Sequence, residues 1–304
     1  MKKTLSALLA MLLLCFVVLP LTVSAKVPVV HTPEYLRVMV NRNTSKRLLL
    51  DWSGSYSVDY EEIPSGYEIY RSETGKSGTY KKIATTRKET YNDSGLKNGT
   101  VYYYKVRGYL KKGDNTFYSK FVIGCGCTKL TNHQATKLLQ KAYRMAGMWM
   151  DLAQPNCSHK KVLILPRTYT YPDGTTSTSD GEYYLVTNKI ITTKKQLKKY
   201  LSKLFDKDQV NRFVDDLYLE KNGKLWMYHF DWGDGASPFA QRDKVIYVSQ
   251  GWDSIKFVNI CNWGNDESLS CDPVIHDLEF RNGRWIFTDE YWFRYRHFID
   301  LELS

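Results

Sequence analysis

The stretch ITTKKQLKKYLSKLFDKDQVNRFVDDLYLEKNGKLWM, residues 191–227, decides the architecture of the second half of the chain. Thr193 and Gln196 stand at capping-box spacing, and Leu197, Tyr200, Leu201, Leu204 and Phe205 then recur at helical period. Asp206 and Gln209 repeat the start signal ahead of a second apolar stripe, Val210, Phe213, Val214 and Leu217. Tyr218-Leu219-Glu220 meets Asn222-Gly223, which predicts a hairpin into Leu225-Trp226-Met227-Tyr228. Two short helices feeding a hairpin predict an α+β packing unit, with no catalytic device inside it.

Upstream, residues 1–25 read as a cleavable export signal. Lys2 and Lys3 precede an apolar run over 5–18, and Val23-Ser24-Ala25 is a small-residue cleavage site. Cys15 lacks the small residues that a lipoprotein signal places before its cysteine, so it is expected to leave with the signal. No later stretch is apolar enough to span a bilayer, and the mature chain is expected to be soluble and secreted. About 280 residues then remain, enough for two modest domains.

The formal charge of +11 is unevenly placed. Residues 26–127 hold 17 Lys and Arg against 10 Asp and Glu, whereas 128–304 hold 24 against 22. A basic exported module suits an anionic wall polymer, and nucleic acid is not an expected partner outside the cell. Five cysteines follow the signal: Cys125, Cys127, Cys157, Cys261 and Cys271. Cys261 and Cys271 flank a turn-rich segment and are expected to form a cross-hairpin disulfide, while Cys157 has Cys125 or Cys127 as candidate partners. Cys125-Gly126-Cys127 lacks the CxxC or paired histidines of a metal site, so no metal or cofactor is expected.

Residues 26–34 form a linker. From Tyr35, strand-like runs alternate with turns at about ten-residue spacing: 48–52, 67–71, 80–84, 102–109 and 117–123. Gly54, Pro64-Ser65-Gly66, Lys76-Ser77-Gly78 and Lys97-Asn98-Gly99 punctuate them, the pattern of a small β-sandwich. Tyr67, Tyr70, Tyr102 and Tyr104 alternate along these strands as core and flank. Trp52, GYEIYRSETGKSGTYKKIA at 66–84, Tyr91-Asn92-Asp93 and Leu96-Lys97-Asn98-Gly99-Thr100-Val101-Tyr102 together resemble a bacterial fibronectin type III domain over 35–127. The resemblance implies an all-β immunoglobulin-like sandwich, with Trp52 as its buried tryptophan and Leu96 and Tyr102 as its tyrosine corner.

After Cys127 the composition turns helical. Thr131 or Asn132 caps a predicted helix whose Ala135, Leu138, Leu139, Ala142, Tyr143, Ala146 and Trp149 share one face, and Pro155 ends it. A ribbon (162–171, loop 172–181, 183–186), the helix pair and hairpin, and strands at 245–248, 255–261, 273–280 and 285–288 complete residues 128–304. The expected arrangement is α+β, a helix packed on one curved antiparallel sheet in the cystatin or NTF2 manner. EYYLVTNKIITTKKQLKKYLSKLFDKDQVNRFVDDLYLEKNGKLWM at 182–227 and RNGRWIFTD at 281–289 resemble the IseA-type inhibitors of cell-wall DL-endopeptidases. The Cys261/Cys271 pair and the aromatic tail 291–298 depart from that family.

Candidate chemistry is sparse. Cys157 and His159, two apart, are poorly placed for thiol–imidazole proton transfer. His229, His276 and His297 show no metal-ligand spacing. Asp231-Trp232-Gly233-Asp234-Gly235 lacks the twelve-residue calcium pattern and reads as a surface loop. Asp289-Glu290, adjacent on a strand, would point to opposite faces and cannot flank one glycosidic bond. Lys194, Lys195, Lys198, Lys199 and Lys203 read as a solvated basic helix face. The expected function is therefore non-enzymatic: a secreted wall-associated protein that binds a DL-endopeptidase and occludes its cleft. Trp232, Asp234 and Phe239 are the expected contacts, with the loop from Asp173 to Asp180 second. The alternative is a binder of wall glycan or a small ligand, recognisable by an apolar pocket with convergent polar groups.

Overall fold

Alternation of buried and exposed side chains organises the first half of the molecule. The computed structural model describes residues 27–40, 45–54, 62–150, 157–170, 173–229, 244–251, 253–260, 273–289 and 292. Its first strands are β1 (Arg37–Val40), β2 (Arg47–Asp51), β3 (Gly66–Ser72), β4 (Lys81–Thr86), β5 (Thr90–Ser94), β6 (Val101–Lys112), β7 (Asn115–Tyr118) and β8 (Val122–Cys127). One sheet runs β1-β2-β5, and the other runs β4-β3-β6 with β7 and β8 both paired to β6. All of these pairings are antiparallel. This is the two-sheet antiparallel β-sandwich that the sequence leads one to expect. Leu48, Leu50, Ile69, Tyr104 and Val106 are fully enclosed between the sheets. Trp52 is buried with its ring edge-on to Tyr67 at 5.4 Å. The Lys97 N–H donates to the Tyr102 phenol oxygen at 3.1 Å, closing the tyrosine corner.

The run expected as one strand over 117–123 is divided between β7 and β8. Ser119 causes the break, because its Oγ accepts from the Gly108 N–H at 2.8 Å while its own N–H donates to the Gly108 carbonyl at 3.0 Å. Beyond it, Gly124 and Gly126 face β1. A Cβ at Gly126 would lie 2.5 Å from Val38, so the missing side chains let β1 close the sandwich. Cys125 and Cys127 consequently point away from the sandwich core.

The second half comprises α1 (Asn132–Met150), β9 (Cys157–Thr170), β10 (Thr176–Val186), α2 (Lys194–Leu201), α3 (Lys207–Leu217), β11 (Tyr218–Lys221), β12 (Lys224–Tyr228), β13 (Lys244–Gln250), β14 (Ser254–Ile260), β15 (Pro273–Arg281) and β16 (Arg284–Phe287). Thr131, rather than Asn132, caps α1: its Oγ1 accepts from Gln134 N at 3.2 Å, and its own N–H donates to Gln134 Oε1 at 3.0 Å. Thr193 and Gln196 form the expected reciprocal box on α2. Asp206 caps α3 alone, since Gln209 instead sends its Nε2 to Thr288 O at 2.8 Å. Both Asn-Gly turns place both residues at positive φ, Asn222 at 53° with Gly223 at 68° and Asn282 at 51° with Gly283 at 79°.

The strands form two four-stranded antiparallel sheets, β11-β12-β10-β9 and β13-β14-β15-β16, in place of the single curved sheet expected. Capped edges keep them apart. Thr136 Oγ1 accepts from Val245 N at 3.0 Å and Asn132 Nδ2 donates to Ile246 O at 3.0 Å, so α1 occupies the free edge of β13. On the other side the turn between α2 and α3 bridges β16, with Asp206 N donating to Phe287 O at 2.9 Å and Phe287 N to Leu204 O at 2.8 Å. One continuous apolar core joins the three helices to both sheets. Trp292, from the tail that the sequence left unplaced, is fully buried in it, with Tyr143, Phe287 and His276 each at 5.0 Å between ring centroids.

The two halves meet through backbone and glycine. Gln134 Nε2 donates to Asn98 O at 2.9 Å, and a Cβ on Gly99 would lie 2.5 Å from the Gln134 amide. The β15–β16 turn brings Gly283 against Tyr103, where a Cβ would lie 2.7 Å from the phenol oxygen. Gln250 ties the connecting segment, accepting from Leu130 N at 2.9 Å and donating to Cys127 O at 3.3 Å.

Candidate functional site

A cleft of about 510 Å³ opens where the end of α1 meets the entry to α2. The segment 187–193 forms one wall because Asn188 Oδ1 accepts from both Ile190 N and Ile191 N at 2.8 Å. Gln196 Oε1 draws in the next residues, accepting from Thr192 N at 2.9 Å and Thr193 N at 3.2 Å. Trp149 and Tyr200 supply an aromatic floor, with ring centroids 6.4 Å apart in an edge-on arrangement. Trp149 is itself anchored from below, since the Tyr218 phenol donates to its carbonyl. Ile190, 83 % exposed, stands on the rim beside Ile191.

Charge enters this cleft through the last turn of α2 and from a position two residues beyond its end. Lys199 and Lys203, four apart, line it, and Lys203 Nζ lies 5.5 Å from the Tyr200 ring centroid. The expected basic face is therefore divided. Lys194 and Lys198 turn toward α3 and pair with Asp215 at 3.0 and 2.6 Å, which holds the Asp215 carboxyl below its ordinary range. Apolar floor, polar wall and two lysines line one concavity, the arrangement suited to an amphipathic anion.

Other expected sites fare differently. Asp173 sits at the tip of the β9–β10 ribbon, where its carboxylate accepts from Thr175 Oγ1 at 2.7 Å and Thr175 N at 2.9 Å. Those bonds depress its pKa. Asp180 belongs to β10, opposite Pro166, so the expected loop over 172–181 is mostly strand. Trp232, Asp234 and Phe239 lie outside the described residues, as do Asp231, Glu290, His297, the export signal, and Cys261 with Cys271. Cys125, Cys127 and Cys157 are free thiols. Pairing of Cys157 with either of the others is overturned: its Sγ packs 3.9 Å from Met227 Sδ in the first sheet, while Cys127 lies by Trp285 of the second. Burial pushes both thiols up to about 11.

His276 is fully enclosed, with Nδ1 3.3 Å from Asp289 Oδ1, and Asp289 also accepts from Asp277 N at 3.2 Å. Asp289 thus props the core. His229 occupies a different setting, edge-on to Tyr184 at 5.0 Å and 3.8 Å from Glu182. Among the described residues no group of three His, Cys, Asp or Glu is placed to hold a metal ion, and no helix is long and apolar enough to cross a membrane.

Sequence reasoning missed the cleft itself. Tyr200 reads as one more apolar stripe position and Lys199 and Lys203 as solvated charge. The one local signal was the consecutive pair Ile190-Ile191 ahead of the Thr193 cap.

No protein-family model matches the chain. A 64-residue stretch is 44% identical to an amylopullulanase of Thermoanaerobacter thermohydrosulfuricus; it makes up 20% of this chain and 4% of that enzyme. Among solved structures, FN3tt is 26% identical and covers 33% of this chain and 95% of its own, with a TM-score of 0.27. An Fn3-like protein from Clostridium thermocellum is 26% identical over 31% of this chain and 88% of its own, TM-score 0.23. A fibronectin type III domain derived from the human KIAA0970 protein is 24% identical over 33% and 75%, TM-score 0.23.

Proposed function

We propose that this chain is an exported, non-enzymatic binding protein that captures cell-wall material, with the sandwich as its mount and the Trp149–Tyr200 cleft as its ligand site. The observation that carries the reading is that Lys199 and Lys203 line the same cleft as Trp149 and Tyr200. A ligand that satisfies both is a short peptide segment bearing a free carboxylate, as a peptidoglycan stem peptide does. The ammonium groups would pair with the carboxylate while Ile190, Ile191 and Tyr200 take aliphatic side chains. Catalysis has no part in this reading: the Cys157 thiol is held protonated at neutral pH and His276 is sealed from solvent.

Titration calorimetry of a stem tetrapeptide into the intact chain tests it. Saturable binding is expected, weakened about tenfold, or ~1.4 kcal/mol, in Lys199→Ala/Lys203→Ala. Binding unaffected by that double change, or no binding at all, removes the cleft from the function.

A second reading, occlusion of a DL-endopeptidase, is favoured by the β9–β10 ribbon. It carries Val162 and Ile164 exposed on its edge strand and ends at Asp173, a shape suited to filling a protease groove. Trp232, Asp234 and Phe239 remain contacts of this proposal. Peptidoglycan lysis by several such enzymes, unchanged at excess protein, would defeat it.

A further inference from the structure

We propose that the outer face of the β4-β3-β6-β8 sheet is a docking strip for an anionic glycan chain, independent of the α1–α2 cleft. Tyr104 and Val106 of β6 point inward and are fully buried, so Lys105 and Arg107 between and beyond them point outward. There they alternate with aromatic rings. Lys105 Nζ lies 4.3 Å from the Tyr80 centroid and 5.9 Å from that of Phe121; Arg107 Cζ lies 4.9 Å from Phe121 and 3.8 Å from Tyr118. Four strands at ~4.8 Å spacing make this ladder ~14 Å wide.

The ladder is held rigid from beneath. Tyr70 meets Phe121 edge-on at 5.4 Å and donates to Glu68 at 2.8 Å, and Glu68 also accepts from Lys82 and Arg107. Burial raises the Glu68 pKa, but these bonds outweigh it and hold the carboxyl at about 2. Above this base, Tyr118 and Phe121 remain 46 % and 40 % exposed. Lys82 and Arg107 share one carboxylate, Glu68, while Lys105 lies over rings, so these four charged groups leave the strip net positive.

Exposed rings set among an excess of positive charge match a partner that alternates apolar C–H faces with negative charge. A uronate- or phosphate-bearing saccharide chain has that composition, and the Tyr118 phenol supplies a neutral group for sugar hydroxyls. The cations also predict attraction that weakens with salt.

Affinity electrophoresis of the intact chain through gels containing polygalacturonate provides the test, with hydroxyethyl cellulose as the neutral matrix. Retardation is expected only in the anionic gel. Lys105→Ala and Phe121→Ala should each weaken it about fivefold, Lys105→Arg should retain it, and Tyr200→Ala should leave it unchanged. The sandwich unfolding midpoint of each variant certifies its fold, and Phe121→Leu replaces any variant that fails. Absence of retardation, equal retardation by the variants, equal retardation in the neutral gel, or tighter binding of oligothymidylate through the same residues would each overturn the proposal.

Discussion

The sandwich of residues 30–127 and the α+β unit after it fill their interiors by different geometries, and the difference decides where each can bind. Two facing sheets interdigitate, so Trp52, Tyr67, Tyr102 and Tyr104 fill the space between them and recognition falls to the outward faces. In the α+β unit, cylinders rest on flat surfaces. Where the end of α1, the segment before α2 and α2 itself diverge, the aromatic floor stays partly open and becomes the cleft. The polar interiors differ in the same way. The sandwich buries Asp93, which the half-buried Arg71 pairs at 2.9 Å and the Tyr104 hydroxyl bonds at 2.7 Å. The α+β unit encloses His276 under Trp292, stacked at 26° between ring planes.

The largest test of this contrast is to remove one anchoring ring from each core. Trp292→Ala should cost the α+β unit about 3–5 kcal/mol, and Trp52→Ala should cost the sandwich a similar amount. Urea unfolding followed by circular dichroism should show one transition moved in each case. Coincident shifts of all signal in both variants would show one cooperative unit, and an unmoved midpoint in Trp292→Ala would disprove its role as a plug.

The junction comes next. Gly99, at φ 59° and against Gln134, should lose about 1–3 kcal/mol on substitution by Ala. Gln134→Ala should restore part of that loss if the clash is its cause, and full additivity of the two changes would refute it.

Acid should then weaken both halves with the same sign, through one lowered carboxylate in each. The Glu68 carboxyl lies below its ordinary value when folded, so its contribution is present above pH 4.5 and disappears as pH falls toward about 2. Glu68→Gln should flatten the sandwich's stability profile across that interval in pH-dependent urea melts. An unchanged slope would mean that the Lys82 and Arg107 bonds do not form in solution. Asp206 of the α+β unit, also lowered despite burial by its bond from Arg281, gives the parallel measurement in Asp206→Asn.

The smallest effect on stability is expected where the effect on binding is greatest. Lys199→Ala/Lys203→Ala should move the α+β midpoint by no more than about 0.5 kcal/mol, because both side chains are exposed. A larger loss would reassign the lysines from ligand recognition to support of α2.

Much of this architecture was legible because it rests on local chemistry. The Thr193–Gln196 box, the Asp206 cap, both Asn-Gly turns and the Leu96–Tyr102 corner each arise within a few residues, from propensities that the neighbouring sequence expresses directly. Legibility ended where partners are distant in sequence. Gln209 carries the same cap signal as Gln196, yet it bonds Thr288 because β16 lies within its reach and the Asp206 backbone does not need it. The β9–β10 ribbon extends through residues expected to form a loop, since cross-strand pairs such as Thr168 with Thr178, 2.9 Å apart, sustain it without an apolar pattern.

The α2 capping box, the Asp206 cap, the Asn-Gly turns and the tyrosine corner were therefore set by the amino-acid sequence alone. Tertiary structure alone decided that the second unit holds two sheets, that Trp292 seals its core, and that Trp149, Tyr200, Lys199 and Lys203 share one cleft. The reason is physical: periodicity and capping are short-range effects, whereas a sheet edge, a filled core and a concavity exist only after segments remote along the chain have excluded water from one another.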